Sequence, residues 1–227
     1  MVFANRLFPS PILVAQEMWE AATAGKLLID LGKTLTRAAI AFVVAMALGT
    51  AIGIAFGRIR WVDRLFSGWL LVGLNLPAIV IAIVLYIWLG LNELSLNLAV
   101  ILNKMPLVIA LVREGVRSFS ADFDELGTVF RMSPWRRLRL IFIPQLTPYV
   151  LTAGRTGLSL IWKIVLVFEV LGSDGGVGYR VSIMFQFFNI AGILAYTTSF
   201  ILVVLAFEYG VMRPVERRVL KWRPVRS

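Results

Sequence analysis

The chain has 227 residues, of which 59% are hydrophobic and 16% charged, with a formal net charge of +10. A soluble domain is nearer to about 45–50% apolar and about 25% charged, so this is the composition of an integral membrane protein. With no Cys and no His, disulfides, thiol nucleophiles, Cys/His zinc sites and His-based acid–base catalysis are excluded.

Residues 1–28 form an amphipathic segment. Phe8-Pro9-Ser10-Pro11 favours a helix start, and Ile12, Ala15, Met18, Trp19 and Ala22 then share one helical face, as a helix lying on a membrane surface requires. No signal-peptide core or cleavage site is visible. The remainder, 29–227, reads as one all-α transmembrane domain, a polytopic helix bundle. Its first span is predicted over 34–56, where Gly49, Gly53 and Gly57 at four-residue spacing make a small-residue face for close packing or for a hinge. Arg58, Arg60 and Arg64 follow and mark a cytoplasmic loop.

The second span, 65–89, is interrupted by Asn75 and Pro77, a break that lines a pathway or makes a packing kink. Residues 90–97 carry an acid and no base, as an outer loop should. The third span, 98–116, contains Asn103, Lys104 and Pro106. A polar, basic segment over 120–146 comes next. The fourth span, 148–171, holds Arg155, Ser159, Lys163 and Glu169, a glycine-rich outer loop follows, and the fifth covers 190–212 ahead of a basic tail. Glu114 and Glu208 are expected as inner-edge partners for nearby arginines.

The basic residues are unevenly shared between the two sides. Three Arg fall in the first inner loop, six between Arg113 and Arg139 and six Lys/Arg in the tail, against Arg180 alone in the outer loops. Clusters of this kind between apolar runs set topology and are not a nucleic-acid stripe. Five spans with the tail inside put the N-terminus outside, so a further span upstream is expected.

The segment from Asp124 to Tyr149 organises the rest. Its basic residues place it in the cytoplasm, and Leu126, Val129, Phe130, Met132, Leu138, Leu140 and Ile141 give it an apolar helical face for a partner. Ser133-Pro134 supplies a helix start.

Here the chain resembles the membrane subunit of type I binding-protein-dependent ABC importers, and within them the nitrate/sulfonate/taurine permease family. The family's cytoplasmic loop reads E-A-A-x3-G-x9-I-x-L-P. In register stand Glu125, Leu126, Gly127, Arg131, Ile141, Ile143 and Pro144, so the acid, the isoleucine and the closing proline match while the alanines and the glycine do not. Phe8-Pro9-Ser10-Pro11, Trp88-Leu89-Gly90-Leu91, Phe168-Glu169, Gly176-Val177-Gly178-Tyr179 and Glu216-Arg217-Arg218 with Trp222 carry the resemblance along the chain.

The resemblance implies a MetI-like transmembrane fold in a multi-pass protein of the bacterial inner membrane. It also implies a second permease subunit, making a homodimer, two ATPase subunits that bind ATP and Mg, and an extracytoplasmic binding protein. It assigns ATPase coupling to Glu125, Leu126, Gly127, Arg131, Met132, Trp135, Arg136, Ile141 and Pro144; the rival reading is an inert basic loop that only fixes topology. Arg131 in the glycine's place means that the turn is remodelled or coupling is altered. The chain has no G-x-x-x-x-G-K-[ST] phosphate loop of its own and is expected to be non-enzymatic, with no cofactor.

Charges inside spans cost about 2.5–3.5 kcal/mol at mid-bilayer. Lys163 and Glu169 are separated by about 9 Å of helical rise, too far for a direct pair. Asn75, Lys104, Ser159, Lys163 and Glu169 are therefore pathway candidates, and two cations near a pathway favour an anion such as nitrate, a sulfonate or a carboxylate. The alternatives for each lysine are snorkelling or interhelical hydrogen bonding, and Glu169 suits a structural partner. A stand-alone secondary transporter would show paired broken helices, and Pro77 and Pro106 do not correspond. A thiamine precursor or other heterocyclic solute remains the alternative cargo.

Overall fold

The computed structural model describes residues 8–219; the tail beyond them, with Trp222, lies outside the described residues. The described chain is helical, in the order α1 (Pro11–Thr23), α2 (Lys26–Arg58), α3 (Arg60–Asn75), α4 (Ala78–Leu89), α5 (Glu93–Arg117), α6 (Ala121–Val129), α7 (Pro134–Arg137), α8 (Ile143–Leu171), α9 (Val177–Gln186), α10 (Ile190–Phe207) and α11 (Arg213–Val219). Single π-helical turns at Leu138–Phe142 and Glu208–Met212 join α7 to α8 and α10 to α11.

Four of these runs are long and apolar enough to cross a membrane, namely Lys26–Arg58, Glu93–Arg117, Pro134–Leu171 and Ile190–Val219. Taken together, α3 and α4 are also long and apolar enough, but they bend by 97° at the break, as a broken span or a re-entrant loop does. The first, third, fourth and fifth predicted spans map onto the four runs with different edges: the first begins at Lys26 and the third at Glu93. The fourth begins at Pro134, because Ser133 caps it (the Arg136 N–H donates to Ser133 Oγ, 3.4 Å). Pro144 does not stop this helix. It lacks the N–H that an α turn would use, and the π turn falls immediately before it. The predicted glycine-rich outer loop also contains α9, which starts at its last glycines.

The described chain divides into two compact units: residues through Ala41, Pro77–Val100 and Ile161 onward form one, Phe42–Leu76 and Ile101–Leu160 the other. In the second unit the glycine stripe is a packing surface. A Cβ on Gly49, Gly53 or Gly57 would lie 2.7, 2.8 or 2.5 Å from the Cβ of Val108, Val112 or Val116, so α2 and α5 meet almost backbone to backbone. Val108, Val112 and Val116 continue into a core with Phe142, Leu146 and Ala153. Asp63 binds both Arg113 (2.6 Å) and Arg117, which fastens the start of α3 to the end of α5. Glu114, expected as a partner for these arginines, also pairs with Arg117 at 4.0 Å, and Glu208 meets Arg213 at 3.7 Å.

In the first unit α1 and α9 both pack on α10. Trp162 of α8 meets Phe200 and Phe207 of α10 edge to face, with ring centres 6.1 and 5.9 Å apart. Edge-to-face contacts of this kind add van der Waals packing between the two helices.

Candidate functional site

The candidate coupling loop is a helical corner. Ser120 caps α6, α6 ends at Val129, and the chain turns through Phe130, Arg131 and Met132 before Ser133 opens α7. The turn is closed by the Arg131 N–H to Thr128 O and the Met132 N–H to Gly127 O, both 3.0 Å. This two-bond closure needs a left-handed residue at its pivot, usually glycine. Arg131 occupies it with φ +47°. The turn is thus not remodelled around the missing glycine; the arginine adopts the glycine's conformation. Gly127 faces inward, where a Cβ would lie 3.1 Å from Arg137 Nε and 3.2 Å from Ile141 Cδ1.

Exposure divides the nominated loop residues. Glu125, Leu126, Arg131, Trp135 and Arg136 are exposed, Met132 and Pro144 half-buried, and Gly127 and Ile141 buried. Ile141 belongs to the loop's own support, and the surface presented outward is apolar at Leu126, Val129, Phe130 and Trp135, with Trp135 70% exposed. A patch of that kind beside several arginines marks an interaction face.

The charges inside the spans separate into three kinds. Glu169 is fully enclosed in the first unit. Its carboxylate accepts from Arg37 Nη1 (2.8 Å), Thr34 Oγ1 (2.9 Å) and the Gly178 N–H (2.9 Å). With these acceptor positions filled, the carboxylate ties α2 and the start of α9 to α8. Arg37, 3% exposed, also donates to Gly175 O (2.6 Å), to Asp174 Oδ1 (3.1 Å) and through two N–H groups to Glu93. All five guanidinium N–H groups therefore have an acceptor. Asp30 accepts from the Gly176 N–H (3.1 Å) and Arg180 Nε (2.7 Å), and Thr34 Oγ1 accepts from the Val177 N–H (2.9 Å). Three successive amides at the start of α9 are thus bound by side chains of α2 and α8, and Gly176, at φ +101°, makes the turn that presents them. Burial acts to raise the Asp174 carboxyl's pKa, but Lys33 at 3.5 Å and Arg37 outweigh it and hold it below the usual carboxylate range.

Lys104 is the opposite case. It is 3% exposed, in the middle of α5, and has no hydrogen-bond or ion-pair partner among the described residues. Its Cε lies 3.6 Å from where Gly157 of α8 would carry a Cβ. Lys163 and Ser159 are of a third kind, exposed on the surface of α8. Asn75 is exposed too, and its amide donates to Leu71 O (2.8 Å), capping the broken end of α3.

Asp30, Thr34, Arg37, Glu93 and Asp63 escaped the sequence reading. The available signal was a lone Glu169 that needed a cation, with Arg37 a few residues inside a span as the candidate.

A family model for the "binding-protein-dependent transport system inner membrane component" matches residues 45–221. The putative aliphatic sulfonates transport permease SsuC of Bacillus subtilis is 26% identical over 98% of this chain and 80% of its own length. The riboflavin transport permease RibX of Chloroflexus aurantiacus is 26% identical over 95% of this chain and 80% of its own. Among solved structures, an inward-facing MetNI methionine ABC transporter chain superposes with TM-score 0.73 at 14% identity, over 85% of this chain and 96% of that one. The chain belongs to the family of inner membrane components of binding-protein-dependent transport systems, as an ABC importer permease with the MetI-like fold.

Proposed function

We propose that this permease carries a small anion, delivered by an extracytoplasmic binding protein, through a path between two copies of the chain. Two ATPase subunits bind ATP and Mg and act through the loop over 120–146, on the cytoplasmic side. The observation that carries this reading is the α6–α7 corner. Two backbone hydrogen bonds close its turn, and it presents Trp135, Phe130 and Val129 to solvent beside Arg131, Arg136 and Arg139. A stiff apolar knob ringed by cations suits a cleft with an apolar floor and an acidic rim.

The sign of the cargo rests on Lys104, a buried cation without a counter-ion among the described residues, with Lys163 as a second cation exposed on α8. The riboflavin permease RibX is as similar to this chain as SsuC is, which supports a heterocyclic solute as a second reading; Asn75 and Ser159 would then serve as hydrogen-bonding groups.

Reconstituted with its ATPase and binding protein, Trp135→Ala or Glu125→Arg should leave the chain in the membrane, with ATP hydrolysis no longer stimulated by loaded binding protein and uptake lost. Normal stimulated uptake in both variants would remove the loop from the coupling path.

A further inference from the structure

Between the α6–α7 corner and the end of α2 lies a cavity of about 1240 Å³, which Val129 of the corner also lines. Pockets that hold drug-sized molecules measure roughly 300–1,000 Å³, so space is not limiting. Its walls join Val116, Phe119 and Phe142 to two guanidinium groups, those of Arg58 and Arg137. The Arg58 guanidinium carbon lies 4.3 Å from the centre of the Phe142 ring. Among the described residues it has no carboxylate within ion-pair reach. Arg137 donates to Thr128 Oγ1 at 3.1 Å, and its Nε is buried without an acceptor. Glu125 also lines the cavity but pairs with neither arginine. The lining therefore carries two cations against one anion, with guanidinium capacity unused, and a guanidinium fork matches phosphate oxygens well.

We propose that this cavity holds the headgroup of an anionic phospholipid, with its phosphate held by Arg58 and Arg137 and its acyl chains lying along the apolar wall. Arg58 is the last residue of α2, a helix long enough to cross the membrane, so the cavity sits where inner-leaflet headgroups lie. Basic pockets at that depth draw anionic lipids. A soluble phosphate would satisfy the arginines and leave the Val116, Phe119 and Phe142 wall unused. The lipid braces the corner against the end of α2, touching Val129, and leaves Phe130 and Trp135 free. It does not depend on the ATPase.

The test uses the intact chain, purified and placed in nanodiscs of phosphatidylcholine alone or with phosphatidylglycerol. Retained lipid is counted by native mass spectrometry and thermal unfolding is followed in parallel. The wild type should keep phosphatidylglycerol through purification and unfold at higher temperature in the mixed discs. The double variant Arg58→Gln, Arg137→Gln should retain about tenfold less. Should that variant fail to fold, Leu138→Glu sets a carboxylate in the cavity lining while keeping both arginines, and it should also expel the lipid. Undiminished phosphatidylglycerol in either variant overturns the proposal. So does inorganic phosphate that stabilises the chain in phosphatidylcholine discs as well as phosphatidylglycerol does, because the ligand is then a soluble anion. Trp135→Ala should retain lipid like the wild type, which separates this site from the coupling surface; parallel loss of lipid there counts against the proposal.

Discussion

Replacing Arg131 with glycine should make the coupling corner harder to open. A non-glycine residue in the left-handed region is strained by roughly 1–2 kcal/mol, from its Cβ against the following carbonyl. Glycine avoids that strain, but its freer unfolded chain gives back roughly 0.5–1 kcal/mol. The net gain is about 0.5–1 kcal/mol, or about a two- to fivefold shift in the local closed-to-open equilibrium. The two amides that close the turn, those of Arg131 and Met132, report it directly. Hydrogen exchange in lipid discs, followed by mass spectrometry on the 125–140 peptide, should slow by that factor in Arg131→Gly. Arg131→Asn, which tolerates the left-handed region, should exchange like the wild type, and Arg131→Val should exchange faster because a β-branched residue fits that region worst. Exchange that is unchanged or faster in Arg131→Gly would show that the pivot is not strained, and the account of the turn would fall with it.

Three further perturbations test the packing and the buried charges. Gly53→Leu must displace Val112 and the Ile109 carbonyl, at 2.8 and 2.9 Å from the new Cβ, and should lower stability by about 1–3 kcal/mol in thermal unfolding. Gly32→Ala, with nothing within 4 Å, should be neutral or gain up to about 1 kcal/mol. Arg37→Met strands Glu169 in a closed pocket and should cost about 3–5 kcal/mol; Arg37→Lys should rescue little, because an ammonium has three donors where five are used. Lys104→Met should fold at least as stably as the wild type yet lose anion uptake in reconstituted vesicles, and full uptake would take Lys104 out of the path.

The long apolar runs were legible because hydrophobic length is a one-dimensional property, and so was the start at Ser133-Pro134, since capping is local. The Arg131 pivot was half legible: register against the loop pattern marked the position, but only the backbone shows that the arginine takes the glycine's φ. By sequence the fourth span starts at Pro148, with Pro144 closing the loop before it. A π turn and the helix's own first residues absorb them instead. The Asp30, Arg37, Glu93 and Glu169 cluster was hidden for a different reason. Its members lie up to 139 positions apart in sequence, and no periodicity connects them. Asp63 with Arg113 and Arg117 was missed in the same way, while Glu114, within a turn of Arg117 on the same helix, was legible as its second partner.

Lys104 and Arg37 give the same signal in sequence, a single cation within an apolar run, and both are 3% exposed. What separates them is saturation. Every N–H of Arg37 is taken by an acceptor of the chain itself, so nothing is left with which to bind or release a passing solute, and the residue can only hold α9 in place. Lys104 has no acceptor among the described residues, and a charge so placed in a span is unfavourable by about 2.5–3.5 kcal/mol until something solvates it. A scaffold gains nothing from such a residue, which a Met or Leu would replace with profit to stability. A transporter of anions does gain, because the unmet demand is met only while the cargo or its water is present. By that reasoning the unsatisfied cation points to the path and the satisfied one to the frame, and exchanging their side chains for methionine should cost transport at Lys104 and folding at Arg37.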